Sequence, residues 1–140
     1  MAADIAAWLQ QHADINDPLD PQALILASQQ GRHDVVTYLL AHEADLAALD
    51  HYGNNALWAA CYSENSECIA ALIKAGIDLN YQNPAAGASA LIFAASSGRE
   101  QAVRQLLDAG ADTRIKTHDD FTALDLASTR TILNLLKPKS

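Results

Sequence analysis

Apolar residues recur along the chain at two spacings, one short and one long. At the short spacing, Ala60 and Cys61 follow Leu57 by three and four residues, and the apolar residues within 68–73 repeat that arrangement. Such stripes predict short amphipathic helices, each with one apolar face. Because only a few polar residues separate the two stripes, the pattern predicts two helices joined by a tight turn.

The long spacing is 33 or 34 residues. Leu24, Leu57, Leu91 and Leu124 follow one another at this interval, and an alanine stands three residues after each of them. A fixed period of this size is typical of stacked arrays, in which no unit can bury its apolar faces alone. The predicted fold class is therefore all-α: a solenoid of stacked helix–turn–helix units from which turn-containing arms project.

Glycines mark the ends of the predicted helices. Gly31 and Gly98 stand between the two helices of a unit, and Gly76 and Gly110 follow a second helix, where a left-handed cap is expected. In an earlier unit, Glu43 occupies the position after the second helix that Gly76 and Gly110 hold in theirs. A left-handed backbone there would strain a glutamate by about 1 kcal/mol relative to glycine.

These features together resemble the ankyrin repeat, which has an Asp-x-x-Gly arm, a Thr-Pro-Leu-His-x-Ala helix start, a Gly turn, an apolar second helix and a Gly-Ala-Asp ending. The matches are Asp50, Gly53, Leu57, Ala60, Ile69, Leu72 and Gly76 in one unit, and Gly87, Leu91, Ala94, Ala95, Gly98, Val103, Leu106, Leu107, Gly110, Ala111 and Asp112 in the next. The resemblance implies a single domain over 1–140, with a capping half-repeat (1–16), repeats at 17–49, 50–82 and 83–116, and a truncated capping repeat (117–140).

The sequence departs from the family pattern at the helix starts, which read QALI, NALW, SALI and TALD, without the family's Pro or His. The usual hydrogen bonds there are expected to be missing or remade, with Thr122 and Ser89 able to cap. The arm YQNPAAGA carries one extra residue. The last repeat is shorter than the one before it by roughly one helical turn.

Charge narrows the choice of partners. The net charge is −8, and residues 1–98 hold 11 acidic residues against two basic ones. This excess of acidic residues disfavours binding to nucleic acid. It would steer a basic protein partner towards the chain, or it serves solubility alone. The sequence has no apolar run of membrane-spanning length and a poor secretory signal, so a cytoplasmic location is expected. The Ala- and Gln-rich style favours a bacterial origin.

Residues with catalytic or metal-binding chemistry form no recognisable motif. The five histidines are scattered over different units, and Cys61 and Cys68 are interpreted as reduced, buried packing residues. Phosphate-binding loops, nucleophile elbows and zinc motifs do not occur. The expectation is a protein that is not an enzyme, with no catalytic residues, no bound metal and no cofactor.

The resemblance implies that arm tips and first helices line a concave, protein-binding face. The residues placed there are His51, Tyr52, Asn54, Trp58, Tyr62, Ser63, His118 and Phe121. Tyr52 and Tyr62 are expected to be largely exposed, whereas Trp58 either contacts the partner or fills space between arms. The implied role is a monomeric, non-catalytic interaction module. Two alternatives stay open: an inhibitor or immunity-type protein that occludes one toxic enzyme, and a structural, self-associating protein.

Overall fold

The computed structural model describes residues 3–12 and 21–138 of the chain. Within these ranges the regular secondary structure is entirely helical, which confirms the predicted all-α class. The helices are α1 (Ala3–His12), α2 (Pro21–Gln29), α3 (His33–Ala41), α4 (Ala56–Ser63), α5 (Ser66–Lys74), α6 (Ala90–Ser96), α7 (Glu100–Asp108), α8 (Ala123–Leu126) and α9 (Arg130–Leu136). They fall into two compact units, unit 1 (Met1–Ile77) and unit 2 (Asp78–Ser140).

Unit 1 contains two of the predicted helix pairs, α2 with α3 and α4 with α5. The first helices of the pairs pack on each other, as do the second helices, and α1 packs against α2 and α3. The apolar stripes face inward, so that Leu24, Leu57 and Leu72 are buried completely or almost so. Cys61 and Cys68 are also buried, and both are free thiols, in agreement with their interpretation as packing residues.

Unit 2 contains the pairs α6 with α7 and α8 with α9, packed in the same way. Its core includes Leu91, Val103, Leu106 and Ile132. The first helix of the last pair, α8, has only four residues, whereas α6 has seven. The predicted loss of about one turn therefore falls largely on α8.

The helix starts are rebuilt with different capping residues. The side chains of Asn55, Ser89 and Thr122 accept hydrogen bonds from backbone amides in the first turns of α4, α6 and α8. Thr122 also forms a capping box with Asp125, and its backbone N–H, followed by its side chain, lowers the pKa of the Asp125 carboxyl. Caps of this kind stabilise a helix by about 1 kcal/mol each. Ser89 and Thr122 were predicted to cap, whereas Asn55 was not.

In each described arm, a backbone hydrogen bond joins the residue that enters the turn to the residue that leaves it. In two arms the bond spans four residues, from Asp50 N to Asn54 O and from Thr117 N to Phe121 O, both at 2.9 Å. In the third arm it runs from Asn83 N to Ala88 O at 2.8 Å and spans five. The extra residue predicted for this arm is thus accommodated inside the turn. No helix within the described ranges has the length and apolar character needed to cross a membrane.

Candidate functional site

The arm tip of unit 1 is held rigidly by its own backbone. The Asp50 carboxylate accepts hydrogen bonds from the amides of Tyr52 at 2.9 Å and Asn54 at 3.0 Å, and the Gly53 amide donates to the Asp50 carbonyl. Gly53 has a φ of 82°, which a residue with a side chain adopts only at a cost. This turn leaves the two tip side chains, His51 and Tyr52, exposed, with their ring centroids 4.1 Å apart.

Helix α4 supplies the other candidate residues of unit 1. Tyr62 is 57% exposed near its end, and Trp58 is half-buried in its first turn, where Asn55 accepts a hydrogen bond from its backbone amide. The Ser63 hydroxyl lies 2.9 Å from the Ser28 carbonyl of α2 and 3.0 Å from the Ala60 carbonyl. Ser63 therefore helps to fix α4 on α2, and Tyr62 is presented from a well-anchored helix.

The excess of acidic residues belongs to the unit that contains these side chains. Unit 1 contains ten acidic and two basic residues, whereas unit 2 contains seven of each, so the whole net charge of −8 belongs to unit 1. One of the two bases, Arg32, is paired with Asp34 at 2.9 Å. That hydrogen bond raises the pKa of Arg32 and lowers the pKa of Asp34. The candidate residues of unit 1 thus belong to a strongly acidic part of the molecule.

In unit 2 the two candidate residues have different surroundings. Phe121 is 47% exposed at an arm tip. The His118 amide donates to the Ala86 carbonyl of the preceding arm at 2.9 Å, and its imidazole lies over Gly87, where an added Cβ would come within 2.5 Å of the ring. His118 therefore joins two neighbouring arms, and Phe121 is the exposed apolar side chain beside that junction.

Both thiols are buried in the core of unit 1. Burial, followed by the charges of Glu67 and Asp34, raises the pKa of the Cys68 thiol to about 11, so it stays protonated near neutral pH. Across the described part of the chain, no three His, Cys, Asp or Glu side chains are grouped as metal ligands would be. The exposed chemistry consists of phenol, imidazole, indole and carboxylate groups, which suits contact with another surface.

Some exposed or cavity-forming residues were not found by sequence reasoning. Leu49, on the same arm as Tyr52, is a large exposed aliphatic residue. In unit 2, Arg114, Lys116 and Leu124 line a pocket. The repeat register alone predicts a buried leucine at position 124, so the basic residues are the only signal in the sequence for this pocket.

Comparison with known proteins gives matches along most of the chain. A family model for ankyrin repeats in three copies matches residues 2–83, and a model for a single ankyrin repeat matches residues 86–118. Protein PhlB of Serratia liquefaciens is 38% identical over 95 residues, which are 68% of this chain and 42% of that protein. The human Ankyrin repeat and SOCS box protein 3 is 34% identical over 101 residues (71% and 20%), and the mouse B-cell lymphoma 3 protein homolog is 32% identical over 106 residues (73% and 23%). The chain spans less than half the length of each of these relatives.

Proposed function

The chain belongs to the ankyrin-repeat family, and from this premise we propose that it is a protein-binding module that acts by contact, without catalysis or a cofactor. Ankyrin repeats are generally protein–protein interaction modules. The observation that carries the proposal for this chain is the exposure of two aromatic side chains in unit 1. Tyr52 is 69% exposed and Tyr62 is 57% exposed, and they are the most exposed large hydrophobic residues in the described ranges.

The proposed binding surface of unit 1 combines the arm tip with one face of α4. His51, Tyr52 and Asn54 belong to the arm, whereas Trp58, Tyr62 and Ser63 belong to the helix. Tyrosine and tryptophan are enriched among the residues that dominate binding energy, and a tyrosine offers much contact area with few rotatable bonds. Because the arm turn and the helix start are both hydrogen-bonded, little ordering cost remains to be met on binding. By the same reasoning, His118 and Phe121 form the proposed contact region of unit 2.

The proposed partner is a protein with a basic surface. A unit with a net charge of −8 attracts such a partner over a distance and repels nucleic acid and anionic membranes. In this role the protein acts as a cytoplasmic monomer. An inhibitor-type protein that occludes one enzyme would use the same surface, and the stoichiometry and the effect on the partner's activity would reveal it.

The test begins with the partner captured from a native lysate and then purified. Tyr52→Ala and Tyr62→Ala should each weaken its binding by about fivefold or more, because truncation of an interface aromatic commonly costs more than 1 kcal/mol. Thr37→Ala, at an exposed position of α3, is the control and should change affinity by less than about twofold. Melting temperatures close to wild type would show that the tyrosines are not core residues.

Two outcomes would refute the surface and the steering separately. If the tyrosine variants bind normally and the Thr37→Ala variant does not, the binding site would lie on the α3 side of unit 1 and not on the aromatic surface. An association rate that does not fall as ionic strength rises would remove the electrostatic part, because steering acts on the association rate and is screened by salt. A molecular mass that rises with protein concentration would favour a structural, self-associating role.

A further inference from the structure

Unit 2 contains a pocket that does not belong to the proposed aromatic surface. Its volume is about 320 Å³, and it is lined by the segment that follows α7 together with residues of α8, α9 and their flanks. Leu124, Leu136 and Pro138 are its apolar lining residues, and Thr113 and Thr122 also line it. The pocket is partly open to solvent.

One wall of this pocket is a residue that the repeat normally buries. Leu91 stands one period before Leu124 and is only 1% exposed, in the unit where α6 packs on α8. Leu124 is half-buried and lines the pocket. The pocket therefore offers apolar surface at a position where the repeat elsewhere covers a leucine with protein.

The charged residues that line the pocket are both cations, Arg114 and Lys116. Each makes an exposed ion pair outside it, Arg114 with Asp112 at 3.2 Å and Lys116 with Asp120 at 3.5 Å. The backbone N–H of Arg114, followed by its guanidinium, lowers the pKa of the Asp112 carboxyl. Exposed pairs of this kind contribute little stability, so carboxylates from a partner can compete for the two cations.

We propose that this pocket is a docking site for an acidic segment of a partner protein. The segment inserts one leucine-sized side chain between Leu124 and Leu136, and carboxylates on either side of that leucine meet Arg114 and Lys116. A cavity of about 150 Å³ already accepts a benzene ring, so the pocket has room for an aliphatic side chain. A side chain carried by a larger partner suits it better than a free small ligand, which must bury most of its own surface to bind.

This site differs from the aromatic surface in both its residues and the charge that it attracts. The aromatic surface belongs to unit 1, which has a net charge of −8, and favours a basic partner. The pocket of unit 2 is lined by cations and favours an acidic one, so either surface can fail in experiment while the other stands.

The proposal is tested with the full chain by methyl NMR titration, using the blocked peptide Glu-Glu-Leu-Glu-Glu. The methyl signals of Leu124 and Leu136 should shift, and the dissociation constant should be at least about fivefold lower than for Glu-Glu-Ala-Glu-Glu or Lys-Lys-Leu-Lys-Lys. Raising the salt concentration from about 50 to 500 mM should raise the dissociation constant of the leucine peptide by about fivefold or more, because salt screens the exposed charges.

A double variant isolates the role of the two cations. Arg114→Gln with Lys116→Gln should weaken the leucine peptide by about fivefold or more. The matched control, Arg104→Gln with Arg130→Gln, removes two exposed cations that do not line the pocket and should change affinity by less than about twofold.

Several results would overturn the proposal. If the alanine peptide binds as tightly as the leucine peptide, the leucine side chain does not occupy the pocket. If the lysine peptide binds equally well, or if the affinity is independent of salt, Arg114 and Lys116 do not contribute to binding. Pocket methyl signals that shift with protein concentration in the absence of peptide would identify a second copy of the chain as the occupant and refute the assignment to a different partner.

Discussion

Replacing Glu43 with glycine should stabilise the fold, because the backbone at this position is left-handed. Glu43 has a φ of 63°, and its amide donates to the Leu40 carbonyl at 3.1 Å. Gly76 and Gly110 end α5 and α7 with the corresponding bond at 3.0 Å and have φ values of 93° and 92°. The three helix ends therefore share one geometry, as the repeat register predicted, and only one of them carries a side chain.

The size of the effect follows from two opposing terms. A left-handed conformation costs a residue with a Cβ about 1–2 kcal/mol. A Cβ at Gly76 or Gly110 would meet no atom within 4 Å, so the cost at this kind of helix end is conformational and not steric. The greater conformational freedom of glycine in the unfolded chain reduces this gain in the free energy of unfolding by about 0.4–1 kcal/mol. The expected net gain is about 0.5–1 kcal/mol, or roughly 1–3 °C in melting temperature for a chain of this length.

Thermal and urea unfolding followed by circular dichroism and fluorescence would measure this gain. Glu43→Ala is the matched control, because it removes the charge but keeps the Cβ, and it should leave the free energy of unfolding nearly unchanged. Gly76→Ala is the reverse experiment and should lose about 1 kcal/mol. Measurements in about 0.5 M salt suppress the unfavourable interaction between the Glu43 carboxylate and the C-terminal end of α3.

The prediction fails if the glycine variant melts lower than wild type. It also fails if Glu43→Ala stabilises the protein as much as Glu43→Gly does, since relief of charge repulsion in an acidic unit would then explain the gain. Transitions that coincide for the two probes are required before the free energies are compared.

Two further predictions concern Cys68 and Gly87. DTNB should label native Cys68 at least about 100-fold more slowly than the urea-unfolded chain, because the thiol is buried and protonated. Since burial raises its pKa from 9.0 to about 11, wild type should lose stability relative to Cys68→Ala as pH rises from 9 to 11; fast native labelling or parallel pH profiles would contradict this. Gly87→Ala should cost about 2 kcal/mol or more in urea unfolding, because its φ is 71° and the new Cβ meets His118. Adding His118→Ala should restore part of that loss, and a cost below about 0.5 kcal/mol for Gly87→Ala alone would refute the packing argument.

The helix pairs could be predicted from the sequence because each follows from a local pattern that repeats. Leu57 and Leu91 must be buried in equivalent places if the repeats stack, so the spacing of these leucines predicts both the helices and their buried faces. The extra residue of the third arm was readable for the same reason. The Asn55 cap was missed because that position was compared with the family's threonine, although asparagine caps a helix at least as well.

The candidate site was predictable only where it depends on one repeat. The exposure of Tyr52 and Tyr62 follows from their places on an arm tip and at the end of a helix. The packing of His118 on Gly87 depends instead on how closely two arms approach each other. That distance is a property of the folded arms and leaves no periodic signal in the sequence.

The positions at which the local turn or helix geometry does not dictate the residue type are therefore the ones that carry information about function. The turn at the arm tip is specified by the Asp50 carboxylate and by the positive φ of Gly53, and neither requires an aromatic residue at position 52. The end of α4 is anchored through the Ser63 hydroxyl, whatever residue stands at position 62. Tyr52 and Tyr62 are 69% and 57% exposed, so most of each side chain lies outside the core of unit 1. We propose that a second surface covers them, and the paired tyrosine variants measure that contribution directly.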